Sequence, residues 1–386
     1  MTNQTVTEYT LAIREDYRKL DKKGKSEWLN HAVRATKRSR KTLIRRLSEA
    51  SDQGISSKAN GRPCVYSRQE LLPHIQYLWQ QMERISARRM KAAFADWLPR
   101  YQGCPSHLRL QLERMSSATL DRYLRQIKSS ELTQKGLSAT SPARYMKNKV
   151  PINTLNSQIT KPGYVQTDTV AHCGSSAAGP FISSITVTDV FSTWTENRAL
   201  VNKTGYAVTE AFKSIERSVP FPLLAINSDS GSEFLNRPML RFTNYGQRVT
   251  FTRSRPYKKN DNCFVEQKNF THVRELFGYE RFEGQALVDL MNEIYTEYWN
   301  PLQNFFLPSF KLKEKIRIGG RIKKKYDAPQ TPYQRLIQNP CLSSQQKDYL
   351  RDRKAKLDPF VLKAGLEKKL QEFFDLVRKN NIRKVA

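Results

Sequence analysis

The chain has 386 residues, more than one ordinary core accommodates, so two or three domains are expected. Its 66 Lys and Arg against 36 Asp and Glu leave a formal charge of +30, a self-repulsion that suits a polyanionic partner, above all nucleic acid. A membrane is the rival anion, but no apolar run nears the ~18 residues of a span, no lipidation signal is present, and the polar, charged start is unlike a secretory signal.

The five cysteines and five histidines are scattered, with no Cys-x-x-Cys. That speaks against a disulfide framework and a His/Cys zinc cluster, and fits a reducing cytoplasm. The apolar share of 38% includes 18 Phe and 17 Tyr, enough aromatic volume for real cores.

Residues 1–50 read as three short helices. Leu11, Tyr17 and Leu20 mark the first, which Gly24 breaks; Ser26 caps a second, EWLNHAVRA; Ser39 caps a third, RKTLIRRLSEA. With Arg40, Lys41, Arg45 and Arg46 on the last helix, the group suits a helix-turn-helix on DNA, and equally a plain basic bundle. Residues 51–66 form a linker, in which Gly61-Arg62-Pro63 either simply connects or lays Arg62 in a minor groove. A second helical group spans 67–128, its apolar stripes being core. It ends in SSATLDRYLRQIK, where Ser116 or Ser117 caps a helix carrying Arg122 and Arg125, a second recognition helix or a solvated one. Residues 129–160 lack periodicity and read as another linker.

From Tyr164 the texture becomes β-prone. YVQTDTV, FISSITVTDV and WTENRALV predict three adjacent strands; TGYAVTEAFKSIERS predicts a helix, PLLAINSD a fourth strand, 233–245 a helix, VTFT a strand, and Asn262 starts another helix. This mixed α/β pattern bounds a domain at 161–302. The remainder, 303–386, opens on KLKEKIRIGGRIKKKYDAPQTPYQR, whose Lys323, Lys324 and Lys325 suit strands lying along a phosphate backbone, and closes in helix.

Three acids stand out. Asp168 lies in the first strand, Asp229 ends the fourth, and Glu266 follows at the start of a helix. A charge at the tip of a buried strand is costly unless a cation meets it. Oxygen ligands select hard ions, Mg²⁺ or Mn²⁺, over zinc. Around Glu266 the cations Arg255, Lys258, Lys259, Lys268 and Arg274 are placed to grip phosphates. Asp261 and Glu233 compete for the acid roles, His172 is either a substrate neighbour or a local hydrogen-bonding group, and Asp189 is structural.

From about 163 to 338 the motifs YVQTDTV, FISSITVTDVFSTWTE, LLAINSDSGSEF, FTRSRPYKKNDNCFVEQKNFTHVRELFGY and KKKYDAPQTPYQRL resemble the catalytic core of DDE transposases and retroviral-type integrases, most closely those of bacterial insertion sequences. The resemblance implies an RNase H-like α/β fold with Asp168, Asp229 and Glu266 as ligands of two Mg²⁺ or Mn²⁺ ions. It further implies binding to the inverted repeats of an element, cleavage of their 3′ ends and joining to target DNA. Such proteins act as homo-multimers on double-stranded DNA, here at the bacterial nucleoid. The alternative is a catalytically silent DNA-binding regulator derived from a transposase; a nuclease of RNase H type shares the metal chemistry but not the two extra helical groups. Two departures stand against the pattern: Asp229-Ser230-Gly231 replaces the usual Asp-Asn-Gly, and the zinc module of retroviral integrases is absent.

Overall fold

A computed structural model describes residues 3–48, 66–128, 159–255, 262–318 and 321–385. The chain divides into two compact units, Met1–Val65 and Tyr66–Ala386. Arg62 lies outside the described residues, as do Lys258, Lys259 and Asp261.

The first unit holds α1 (Asn3–Ala12), α2 (Arg14–Lys19), α3 (Lys22–Thr36) and α4 (Arg40–Ser48) around Val6, Leu29, Ala32, Leu43 and Leu47. Gly24 does not break a helix. Asp21, not Ser26, caps α3 by accepting the Gly24 N–H at 2.8 Å, so the glycine falls in the first turn. Ser39 accepts the Thr42 N–H at the head of α4, as expected of a cap. Arg40 spends its guanidinium on Ser26 and Asn30, tying α4 to α3, while Lys41 and Arg45 stay exposed.

The helices α5 (Arg68–Gln81), α6 (Ala87–Trp97), α7 (Ser106–Arg114) and α8 (Ser117–Lys128) belong to the same unit as the sheet, although the sequence reading set 67–128 apart. Trp97 donates its indole N–H to the Phe306 carbonyl, and Lys354 meets Asp96 at 2.7 Å. One continuous apolar core therefore runs from α5–α8 into the C-terminal helices.

The sheet consists of β1 (Tyr164–Ala171), β2 (Ser183–Asp189), β3 (Thr195–Leu200), β4 (Ala225–Ser228) and β5 (Thr250–Arg253) in the order β3-β2-β1-β4-β5. The first three form an antiparallel meander; β4 and β5 run parallel to β1. Parallel neighbours need crossovers. Helix α9 (Gly205–Ser218) supplies one and α10 (Arg237–Phe242) the other, both burying Phe212, Ile215 and Met239 against Val165, Ile185 and Ile226. The helix expected over 233–245 is thus the short α10, started by the Asn236 cap. This order and polarity define the RNase H-like fold.

The other face carries α11 (Cys263–Lys268), a π-helical stretch Asn269–Arg274, α12 (Glu275–Phe277), α13 (Gln285–Glu293) and α14 (Asn300–Phe306). The basic segment forms an antiparallel hairpin, β6 (Leu312–Ile318) and β7 (Arg321–Tyr326). Three helices end the chain: α15 (Pro332–Gln338), α16 (Ser344–Ala355) and α17 (Pro359–Val385).

Candidate active site

The register of β1 and β4 sets the geometry. Thr167 pairs with Ser228 in parallel, so one step on Asp168 and Asp229 stand side by side on neighbouring chains. Alternation sends Gln166 and Asp168 to the face that α11 covers. There the Gln166 side-chain oxygen Oε1 accepts the Phe264 N–H at 3.1 Å, pinning the start of α11 to β1. Asn262 receives the Ser254 hydroxyl at 2.7 Å and fixes the same entry from β5.

Farther along, Asn269 donates Nδ2–H to Asp168 Oδ2 at 2.7 Å, while its own Oδ1 is buried without a hydrogen-bond partner. Glu266, one turn earlier, is exposed and lies within electrostatic reach of Asp168.

Glu233 turns inward. Its carboxylate accepts the Thr169 hydroxyl at 3.0 Å and lies 4.0 Å from the Lys203 ammonium. It packs so closely over Gly231 that a Cβ there would sit 2.5 Å from Glu233 Oε2 and 2.9 Å from Asp229 Oδ1. A side chain at 231 would push the two acids apart. Asp229 Oδ1 in turn accepts the Gly231 N–H at 2.8 Å, closing the turn. The Ser230 hydroxyl is buried without a partner, so nothing shows it replacing the amide usual at this position.

The electrostatics follow. Burial first, then Asp229, pushes the Asp168 carboxyl up to about 7, with smaller contributions from Glu233 and Glu266 and an opposing bond from the Thr169 N–H. Asp229 is raised too, chiefly by burial and then by Glu233, against its bond from Gly231 and the nearby Lys203. Four carboxylates thus face one end of the sheet, with Lys203 the cation that both Glu233 and Asp229 sense. An all-oxygen, acid-rich donor set with a spare amide oxygen at Asn269 fits a hard divalent cation. Among the described residues, however, no three of His, Cys, Asp and Glu converge tightly enough to hold one ion. Asp168 and Asp229 form the fixed pair, and Glu266 stands off on its helix.

Two of the expected DNA-contacting cations turn elsewhere, which corrects the sequence reading. Lys268 is half-buried and directs its ammonium at His272 Nε2, 3.4 Å away; burial, and then Arg89 and Arg335, lower it to about 7. Arg274 donates to the carbonyls of Ala171 at 2.9 Å and Gly278 at 3.2 Å, and covers the Tyr279 ring. Arg274 braces the helix on the sheet, whereas Lys268 bonds within the helical segment itself. Arg122, Arg125, Arg255, Lys323, Lys324 and Lys325 are exposed, Arg125 being paired with Asp121.

His172 is fully buried, shares a hydrogen bond with Ser184, and is held down to about 3 by burial and Arg274; it is structural. Asp189 accepts from the Gly163 N–H and from both the N–H and the hydroxyl of Ser192, also a structural role. Sequence reading passed over Gln166, Lys203 and Asn269. Two had a usable signal: Gln166 shares a strand face with Asp168, and Asn269 lies three positions beyond Glu266 on one helix.

No protein-family model matches the chain. Among solved structures it is similar to the catalytic core domain of BIV integrase, with a TM-score of 0.29 and 17% identity over 48% of this chain and 98% of that one. A second is the HTLV-2 integrase catalytic core domain in complex with magnesium, in its trimeric form, at 0.23 and 19%, over 28% and 65%. The fold assignment rests on sheet order and polarity, which make this an RNase H-like α/β protein with an added helical layer. The chain belongs to the family of the Uncharacterized protein y4rM of Sinorhizobium fredii (strain NBRC 101917 / NGR234), with 32% identity over 341 residues, 86% of this chain and 95% of that protein.

Proposed function

We propose that the protein is a DDE-type transposase, binding the terminal inverted repeats of a mobile element, cleaving their 3′ ends and joining them to target DNA. The observation that carries this reading is the side-by-side placement of Asp168 in β1 and Asp229 just past β4, two raised carboxyls that share a site. Asp168, Asp229 and Glu266 would hold two Mg²⁺ or Mn²⁺ ions. Bound there, such ions activate the attacking hydroxyl and stabilise the leaving oxygen of an in-line displacement at phosphorus.

The chain's own part is positioning. Asn269 orients the Asp168 carboxylate, Gly231 lets Asp229 and Glu233 approach, and Gln166 holds the start of the helix that carries Glu266. Exposed Lys323, Lys324 and Lys325 would take phosphates, as would Arg122 and Arg255. A homo-multimer holding two double-stranded ends together completes the reading.

The second reading, a silent DNA-binding regulator, is favoured by one observation: Glu266 is exposed and does not close on the aspartates. The test uses a supercoiled plasmid carrying the DNA that flanks the gene. Incubated with Mg²⁺ or Mn²⁺, the wild-type chain should nick it at the boundaries of short inverted repeats. Asp168→Asn, Asp229→Asn and Glu266→Gln should each lose cleavage by at least about 10³-fold while still shifting the repeat DNA. Binding without metal-dependent cleavage by the wild type would leave the regulator standing.

A further inference from the structure

Away from the carboxylates, a cavity of about 450 Å³ opens where the first turns of α6 and α8 meet the foot of the β6–β7 hairpin. Ala87 and Ala118 line it from the helices and Phe310 and Tyr326 from the hairpin side, with two serines, Arg88 and Asp121 completing the lining. Arg88 lies over the Phe310 ring at 5.7 Å, and the Phe310 and Tyr326 rings are 6.0 Å apart at 58°. Tyr326 is 49% exposed, an aromatic left to solvent directly after the exposed run Lys323, Lys324, Lys325.

The chemistry of this lining narrows the occupant. The largely apolar walls disfavour a phosphate inside the cavity. A duplex is too wide to enter, and Lys324, on the strand face of Tyr326, selects an anionic chain. A flat, uncharged ring with amino groups on its edge suits this lining: the aromatics and the Arg88 guanidinium stack on its faces, and Asp121, whose Oδ2 is held by Arg125, offers Oδ1 to its amino group. We infer that this cavity receives an unpaired nucleobase of single-stranded DNA, with an adjoining phosphate on Lys324, which shares the strand face of Tyr326. The inference rests on DNA being the partner, but not on the carboxylate chemistry.

The experiment measures binding of the full chain in EDTA, so that cleavage plays no part. The probes are a short single-stranded oligonucleotide carrying 2-aminopurine and a duplex of the same length. Wild type should bind the single strand and quench 2-aminopurine by stacking. Ala118→Trp, which fills the cavity, and Tyr326→Ala, at a solvent-facing ring, should each weaken single-strand binding by about tenfold, the scale of one stacked base, and leave duplex binding within about twofold. Tyr326→Phe should restore it. Unchanged single-strand affinity in both variants overturns the inference, as does an equal loss on both probes, which would make the rings supports of the hairpin. Saturation by an oligo-glutamate peptide that Ala118→Trp abolishes, with the single strand unaffected, would assign the cavity to a protein partner instead. Failure of wild type to bind either DNA would count against the proposed function as a whole, whereas duplex binding without quenching counts against the pocket alone.

Discussion

Two groups of acids lie in and beside the same sheet, and they are treated in opposite ways. On β3, Glu196 meets Arg198 at 3.0 Å and also accepts from the Trp194 indole at 2.9 Å and the Asn300 amide at 3.0 Å. Arg198 spends its remaining donors on Ser214, Ser218 and the Asn197 carbonyl. At the ends of β1 and β4, Asp168, Asp229 and Glu233 share a few neutral donors and Lys203. The first group is balanced within the chain, so it is architecture. Among the described residues the second gathers several acids around Lys203, the kind of arrangement that favours a bound cation.

The sharpest way to break this comparison is to unbalance the balanced group. Arg198→Met leaves Glu196 buried without its cation, for which the expected loss is about 3–5 kcal/mol. Urea unfolding should report it, and the double variant Arg198→Met with Glu196→Gln should recover a substantial part. A single variant as stable as wild type would mean that the network does not hold the β3 edge.

What could be read from sequence follows the same division. The strands were legible because Val, Ile and Thr alternate or run together in YVQTDTV and FISSITVTDV. The inward turn of Glu233 was not legible, since it depends on how closely a carboxylate approaches Gly231 across a turn. Lys268 was misread for a simpler reason. Two positions beyond Glu266 is about 200° around a helix, so the two face nearly opposite ways, and Lys268 shares its face with buried His272 at i+4. The Gly24 misreading came from taking glycine as a stop without weighing the Asp21 cap before it. The union of 67–128 with the sheet had no local signal, because contacts such as Trp97 to Phe306 span 209 positions.

A smaller effect distinguishes a merely buried acid from a mutually repelling one. Asp189 accepts three hydrogen bonds, yet burial raises it to about 6, with the bonds and Lys311 opposing. Its folded value lies above the unfolded one near 3.8, so the native state holds the proton more tightly. That contribution is fully present at low pH and is lost as pH climbs through about 6, for about 3 kcal/mol in all. Asp189→Asn carries a constant loss of bonding instead. The stability difference, wild type minus variant, should therefore fall between about pH 4 and pH 6.5 and then level off, as followed by thermal unfolding. A flat difference would show that the three donors have already cancelled the burial.

The smallest effect tests the unbalanced group directly. If Asp168 and Asp229 are held together against their repulsion, Asp168→Asn relieves it and should stabilise the metal-free protein by about 1–2 kcal/mol at pH 8, the reverse of the Arg198 result. Millimolar Mg²⁺ or Mn²⁺ should raise the melting temperature of wild type, since a ligand of the native state alone stabilises it, and should do nothing for Asp168→Asn or Asp229→Asn. Glu233→Gln separates the two acid roles further. With Thr169 and Lys203 as its partners, Glu233 supports the turn at Gly231, so this variant should melt lower but keep most of the metal response. Should Glu233→Gln abolish that response while Glu266→Gln leaves it intact, the third ligand would be Glu233, and the exposed acid on α11 would belong to the surface.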